Sequence, residues 1–305
     1  MAYSEFIDEF HGLPVVDFDG PKSWKGSGVA YRLREEYEDE ISIVDRLDLL
    51  LNQSGSDQLT ALIIGTWSGA CEGDDSEKIV ARLAGAAREL PAIEAIFLGE
   101  ITYEECEISW INHSDVTPLL VAFPRLQTLR IRGGSQLRFS RTSHQSLREL
   151  AIETGGLPRS VLREVFLCDL PNLEHLELLL GESNYGFDGS VEDLQPVLSG
   201  QLYPKLTFLG LMNSEIANDI AAVVVNSPIV DRISILDLSM GSLDDLGIQS
   251  LHSLGNAKNL QRLNITHHYG SEDAVEELKA ALNCEVEAGD CQEPEDDWRP
   301  IVHAE

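Results

Sequence analysis

Two adjacent histidines, His267 and His268, are followed by Glu272 and Asp273 in the stretch LNITHHYGSED. Imidazole and carboxylate groups at this spacing are the ligand types of a zinc or iron centre, so the stretch is one candidate metal site. A second concentration of reactive types is GEITYEECEISWINHSD, where Glu100, Glu104, Glu105 and Glu107 are interleaved with Cys106, Trp110 and His113. Its carboxylates suit a hard cation, but the spaced Asp/Asn and central Gly of a calcium loop are missing. Trp110 reads better as the anchor of an interaction loop, since tryptophan is enriched at interface hot spots. Residues 125–164 hold eight of the chain's 22 basic residues, all arginines, against Glu149, Glu153 and Glu164. A planar guanidinium fork recognises carboxylate or phosphate, so Arg130 and Arg132 are candidates for an acidic or phosphorylated peptide. Catalytic motifs do not appear. IGTWSGA places Ser68 one residue away from a nucleophile elbow, and there is neither a GKS/GKT phosphate loop nor H-E-x-x-H. The expectation is a protein without catalytic residues and without a cofactor.

The elements that must position these residues come from a repeat. The template L-x-x-L-x-L fits at Leu59/Leu62/Ile64, Ile93/Ile96/Leu98, Leu126/Leu129/Ile131, Leu147/Leu150/Ile152, Leu173/Leu176/Leu178, Leu206/Leu209/Leu211, Ile233/Leu236/Leu238 and Leu260/Leu263/Ile265. The first positions are 34, 33, 21, 26, 33, 27 and 27 residues apart, and several units carry a proline two residues upstream. Such spacing is that of leucine-rich repeats. Side chains alternate along a strand, so the fourth and sixth positions point together into a core. Stretches such as DSEKIVARLAGAAREL and DDLGIQSLHSLG have helical apolar spacing. Ser114 or Asp115, and Asp244, are the expected N-caps. The 21-residue interval has no room for a proper helix, and RGGSQLRFSRTS reads as an irregular connection. The predicted fold is α/β: a solenoid with a curved parallel sheet inside and helices outside. Residues 1–55 form an N-terminal cap with LPVVDF and GVAYRLR as strands, 56–287 the repeat domain, and 288–305 an acidic tail, mobile unless Trp298 tacks it back.

In this register the intervening positions face a concave surface. Its candidate binding residues are Arg130, Arg132, Glu149, Glu153, His175, Glu177, Asp237, Asn264 and His267, with Trp110 on a flanking loop. The same register accounts for the acids of LNITHHYGSED. Leu263 and Ile265 point inward, Ser271 caps a helix, and Glu272 with Asp273 fill its first turn, where negative charge suits the helix dipole.

The phrases EFHGLPVVDF, FLGEITYEECEISWINHSDVTPLL, ETGGLP, LGLMNSEI, LDLSMG and THHYGSEDAV resemble a family of stand-alone bacterial leucine-rich-repeat proteins, common in actinobacteria, over nearly the whole chain. The resemblance implies no established activity and no catalytic residues. Members are encoded near radical-SAM and ATP-grasp-type enzymes, which implies service to a modification or biosynthetic pathway.

Composition narrows the partners. With 52 acids against 22 bases the formal charge is −30, a sign that repels nucleic-acid phosphate and anionic membrane alike. The expected partner is a protein or peptide. MAYSEFIDEFHGLP lacks the basic start of a secretory signal, and the five cysteines form no C-x-x-C pair. The expectation is a cytoplasmic protein with reduced thiols, in which the sequons at Asn52, Asn112 and Asn264 go unused. Two other readings stay open: a metal protein or enzyme using His267 and His268, and a structural subunit of a larger complex.

Overall fold

The computed structural model describes residues 3–35, 39–296 and 298–304. Among them are twelve strands and eight α-helices, in two compact units. The first unit comprises residues up to 152 with 167–170, and the second comprises 153–166 with the remainder from 171.

The first unit begins with a hairpin. Strand β1 (Glu9–Phe10) is antiparallel to β2 (Leu13–Asp17). Parallel pairing then runs from β2 through β3 (Ala30–Leu33), β4 (Ala61–Ile64) and β5 (Ala95–Leu98) to β6 (Thr128–Arg132), and β7 (Glu149–Glu153) follows. In register, Leu62, Ile96 and Leu129 form one row across the strands, and Ile64, Leu98 and Ile131 another. All six are at most 1% exposed, as the template requires. The same inward column continues through Tyr31 and Val16, so the expected N-terminal strands extend the sheet itself.

Helix α1 (Ile43–Leu51) starts at Ser42, whose hydroxyl accepts from Asp45 N at 3.2 Å, and it buries Ile43, Leu47 and Leu50 along one stripe. Helix α2 (Glu77–Gly85) buries Ile79, Val80 and Leu83. Helix α3 (Thr117–Ala122) starts later than expected. Val116 is its N-cap, and Asp115 instead accepts from Thr117 N at 2.9 Å. The segment after β6 has no α-helix. It is held by isolated bridges, Ser135 to Asn112 and Arg138 to Asp115.

The second unit has α4 (Arg159–Phe166), β8 (His175–Gly181), α5 (Gln195–Leu198), β9 (Phe208–Ser214), α6 (Ala217–Val224), β10 (Ile235–Asp237), α7 (Asp245–Leu251), β11 (Arg262–Asn264), α8 (Glu272–Ala281) and β12 (Glu285–Glu287). Its strands pair in parallel in chain order. Asp244 caps α7 as expected, accepting from Leu246 N at 2.9 Å, and Ser271 caps α8. Gly181 (φ 80°) ends β8 where a Cβ would lie 1.9 Å from Gly155 O, so only glycine fits.

The C-terminal tail packs down at its end, through Ile301 and His303 rather than through Trp298, which is 53% exposed. Ile301 and His303 are 6% and 2% exposed. Three residues adopt positive φ near the strand ends: Asn213 inside β9, Met240 after β10 and His267 after β11. The tail is fastened at each. Asn213 exchanges two hydrogen bonds with the His303 backbone (2.6 and 2.9 Å), Val302 N donates to Met240 O (3.0 Å), and His267 Nε2 contacts Pro300 O (3.3 Å).

Candidate functional site

In the first unit the strand positions expected to face a partner face the chain's own N-terminus. Phe10 is buried against Ala30, Ala61, Ile63, Ala95 and Phe97, with Ile7, Leu13 and Val15 packed around them. Polar ties hold the segment there: Ile7 N donates to Glu100 Oε1 (2.7 Å), and Tyr103 N donates to Tyr3 O (2.8 Å). Arg32 spans the layer. It donates to both carboxylate oxygens of Glu100, which is fully buried, and to Asp17 Oδ1 (3.0 Å) and Ile7 O (2.5 Å). Burial opposes its charge, but the bonds to Glu100 and Asp17 prevail and hold its pKa above the ordinary arginine value.

This corrects the arginine-patch expectation. Arg132 is 2% exposed, lies 3.7 Å from the Tyr3 ring centroid and donates to Ile101 O (2.9 Å). Arg130 is half-buried over Phe97. Arg125 pairs with Glu94, and in the second unit Arg159 and Arg163 pair with Asp193. Three of the eight arginines thus pair with acids of the chain and Arg132 is buried, so the eight do not form one free cationic surface. Glu149 is half-buried and Glu153 is fully buried. Trp110 is 57% exposed, with its indole N–H donating to Glu107 Oε2 (3.1 Å).

Behind this layer lies a closed polar cluster. His113 Nε2 contacts Arg132 O (2.8 Å), and Nδ1 contacts Ser76 Oγ (3.3 Å), which also accepts from Ser114 N (3.1 Å). Nε2 therefore carries the proton. A serine beside a histidine suggests a nucleophile, but both are 0% exposed, so no substrate reaches them. Burial pushes His113 down to about 4, against weaker opposing effects of the Arg132 carbonyl and Asp75.

The second unit presents a different face. One row across the strands reads Glu177, Gly210, Asp237, Asn264, Glu287, and the row beside it reads His175, Phe208, Ile235, Arg262, Glu285. His175 stacks on Phe208 with ring centroids 3.8 Å apart, and its Nε2 lies 3.3 Å from Glu177 Oε2. Asn264 donates to Asp237 Oδ2 (2.8 Å), and Ser239 N donates to Oδ1 (3.0 Å). Burial nonetheless raises the Asp237 pKa, and the Glu177 charge adds to it. Arg262 contacts Glu287 at 3.4 Å. His175, Glu177, Phe208, Ile235, Arg262, Asn264 and Glu287 are all partly accessible, and Asp237 is 8% exposed. Gly210 has no side chain between the flanking carboxylates, and the Met212 sulfur and the Phe208 ring lie over it, each 3.2 Å from where a Cβ would stand.

The histidine pair does not converge on one point. His267 turns to Asp290 and Pro300 O, whereas His268 is buried and accepts from Gly270 N (3.1 Å). Burial holds the His268 pKa below the ordinary imidazole value. Among the described residues no group of three His, Cys, Asp or Glu side chains is placed to hold a metal ion.

The reduced-thiol expectation also changes. Cys71 and Cys106 form a disulfide, and Cys168, Cys284 and Cys291 are not disulfide-bonded. No helix among the described residues is long and apolar enough to cross a membrane. Sequence reasoning missed the bond because the partners are 35 residues apart, on turns that only strand pairing brings together.

No protein-family profile matches this chain, and no curated protein does. A crystal structure of a Bacteroides fragilis protein from the Northeast Structural Genomics Consortium is similar, with a TM-score of 0.81 at 30% sequence identity, covering 90% of this chain and 76% of that one.

Proposed function

This chain belongs to the family of that Bacteroides fragilis protein, and from there we propose that it is a non-catalytic binding module of leucine-rich-repeat type, acting in the cytoplasm. Its recognising surface is the sheet face of the second unit. Its partner is a protein segment that carries a lysine or arginine next to an aromatic side chain. Service to a modification or biosynthetic pathway fits such a module, since a docking protein needs no chemistry of its own.

The observation that carries this reading is the pair of acidic positions, Glu177 and Asp237, that flank Gly210 in one row across the strands. Neighbouring strands lie about 4.8 Å apart, so the two acidic positions are separated by roughly 10 Å, close enough for one cation to face both. Asp237 is already disfavoured as an anion by burial and by Glu177. A cation set against both carboxylates offsets part of that penalty, and part of its binding energy comes from there. The stacked His175 and Phe208 supply an adjacent aromatic platform. Among the described residues of the first unit, Phe10 and its neighbours cover the corresponding positions on β3, β4 and β5.

The test replaces Phe208 with a photo-crosslinking amino acid in the native cells and maps the adducts by mass spectrometry, with and without Glu177→Lys. The expected adduct maps to a basic segment of one partner and falls at least about tenfold in the variant, as loss of a desolvated charge contact of 1.4 kcal/mol or more implies. Adducts that are unchanged by Glu177→Lys, or that map to acidic segments, overturn the reading.

A further inference from the structure

We propose that the Cys71–Cys106 disulfide is a reversible redox site, opened by thiol attack on Cys71, and that opening it frees the loop that displays Tyr103 and Trp110. Three observations in the first unit carry this. The two sulfurs are unequal: Cys71 is exposed, whereas Cys106 is only 4% exposed. Cys71 also lies in the wall of a solvent-open cavity of about 530 Å³, large enough for a small thiol. Finally, the bond joins the turn after β4 to the turn after β5, and hydrogen bonds between those turns at Ala70 are long, 3.3 and 3.4 Å from Asn112. Tyr103 and Trp110 are 41% and 57% exposed on the second turn. In a reducing compartment a disulfide is usually transient or sensing rather than permanent, so the biological use of this site rests on the cytoplasmic reading above.

The chemistry is thiol–disulfide exchange. A thiolate attacks Cys71 Sγ from the cavity along the S–S axis. A mixed disulfide forms on Cys71, and Cys106 leaves as a thiolate that takes a proton from solvent. A second thiolate then attacks the outer sulfur of the adduct, releasing Cys71 as a thiolate. The protein disulfide gains two electrons, and two small thiols become one small disulfide.

The cavity also selects its reagent. Glu35, Asp39, Glu72, Glu104 and Glu105 line it against Arg34, a net charge of −4 over these described residues. An anionic thiol such as glutathione is repelled, and a cationic aminothiol such as cysteamine is drawn in. Ionic strength screens both effects, because the Debye length falls from about 30 Å at 0.01 M to about 3 Å at 1 M salt.

The experiment treats the folded, oxidised full chain with cysteamine or glutathione, without denaturant, and corrects rates for thiolate fraction. Adducts are mapped by mass spectrometry, and hydrogen exchange of residues 101–112 is followed before and after reduction. Cysteamine is expected to react at least about fivefold faster than glutathione at 0.01 M salt, and the two rates to converge at 1 M. The adduct is expected on Cys71, with faster exchange in 101–112 while β4 and β5 stay protected. Inertness without denaturant, an adduct on Cys106, or an unchanged loop each overturns the proposal. Cys106→Ser gives a second reading: its Cys71 thiol is expected to alkylate within the time that Cys106 in Cys71→Ser stays protected, and equal rates count against the proposal. None of these measurements involves a partner, so they stand or fall separately from the binding face of the second unit. Acid-quenched thiol trapping in intact cells tests the compartment: a mixture of oxidised and reduced chains supports a working switch, and full oxidation under all conditions overturns it.

Discussion

Acidification from pH 7 to 4.5 is expected to cost this protein stability through one residue, His113. Its ring is fully buried, with Nε2 on the Arg132 carbonyl and Nδ1 on Ser76, and burial lowers its pKa from 6.5 to about 4. Below about pH 6.5 the unfolded chain takes up a proton at this position and the folded chain does not. The unfolded state binds more protons in that window, so stability rises with pH and is lost as pH falls. The effect is fully developed once the folded ring also titrates, near pH 4. Between pH 7 and 4.5 it amounts to about 2–3 kcal/mol, at 1.36 kcal/mol for each tenfold difference in proton affinity. The 52 carboxylates also titrate towards the acid end, so the comparison is made with His113→Gln. Glutamine can still donate to the Arg132 carbonyl, and it does not titrate. The variant loses about 1–3 kcal/mol at pH 7 from imperfect hydrogen bonding. Urea midpoints at half-unit steps of pH give both curves. The wild-type curve should fall towards that of the variant, closing by about 2–3 kcal/mol at pH 4.5. Parallel curves would refute the claim that a neutral, buried imidazole sits at this position.

Other consequences are as direct. Arg32→Ala leaves the Glu100 carboxylate buried without its main partner and should cost about 3–5 kcal/mol, read from urea midpoints; a variant within 1 kcal/mol of wild type would show that Glu100 does not depend on the pair. Phe10→Ala opens the layer over Phe97 and should cost about 3–5 kcal/mol and raise binding of an apolar dye, whereas unaltered dye binding would mean that the N-terminal segment does not cover this face. Asn213→Ala removes both bonds to His303 and should make residues 298–304 sensitive to limited proteolysis, with the strand ladder unchanged in hydrogen exchange. Gly181→Ala forces a Cβ into Gly155 O at a positive φ and should yield little soluble protein, in contrast with Gly85→Ala, where no atom lies within 4 Å.

The elements were legible from local pattern, and their surroundings were not. Leu176, Leu209, Leu236 and Leu263 could be aligned by eye, because a repeated unit places the same side chain at the same depth each time. The Asp244 and Ser271 caps were legible for a similar reason, since a cap acts within one turn of its own helix. The accessibility of Arg132 could not be read in this way. Nothing near it in sequence reveals that Tyr3 will lie against its guanidinium. His267 looked like a ligand because its type and neighbours permit that, and its actual partners, Asp290 and Pro300, come from the tail.

The sequence alone determined the α/β alternation, the inward leucine column and the acidic character, because each depends on spacing over a few residues or on a sum over all of them. Only the tertiary structure decided which sheet positions stay open. The Ile7–Glu100 and Asn213–His303 contacts join residues 93 and 90 positions apart. Whether a terminal segment returns to cover a face depends on the balance of buried area against chain entropy, which leaves no periodic mark in the sequence.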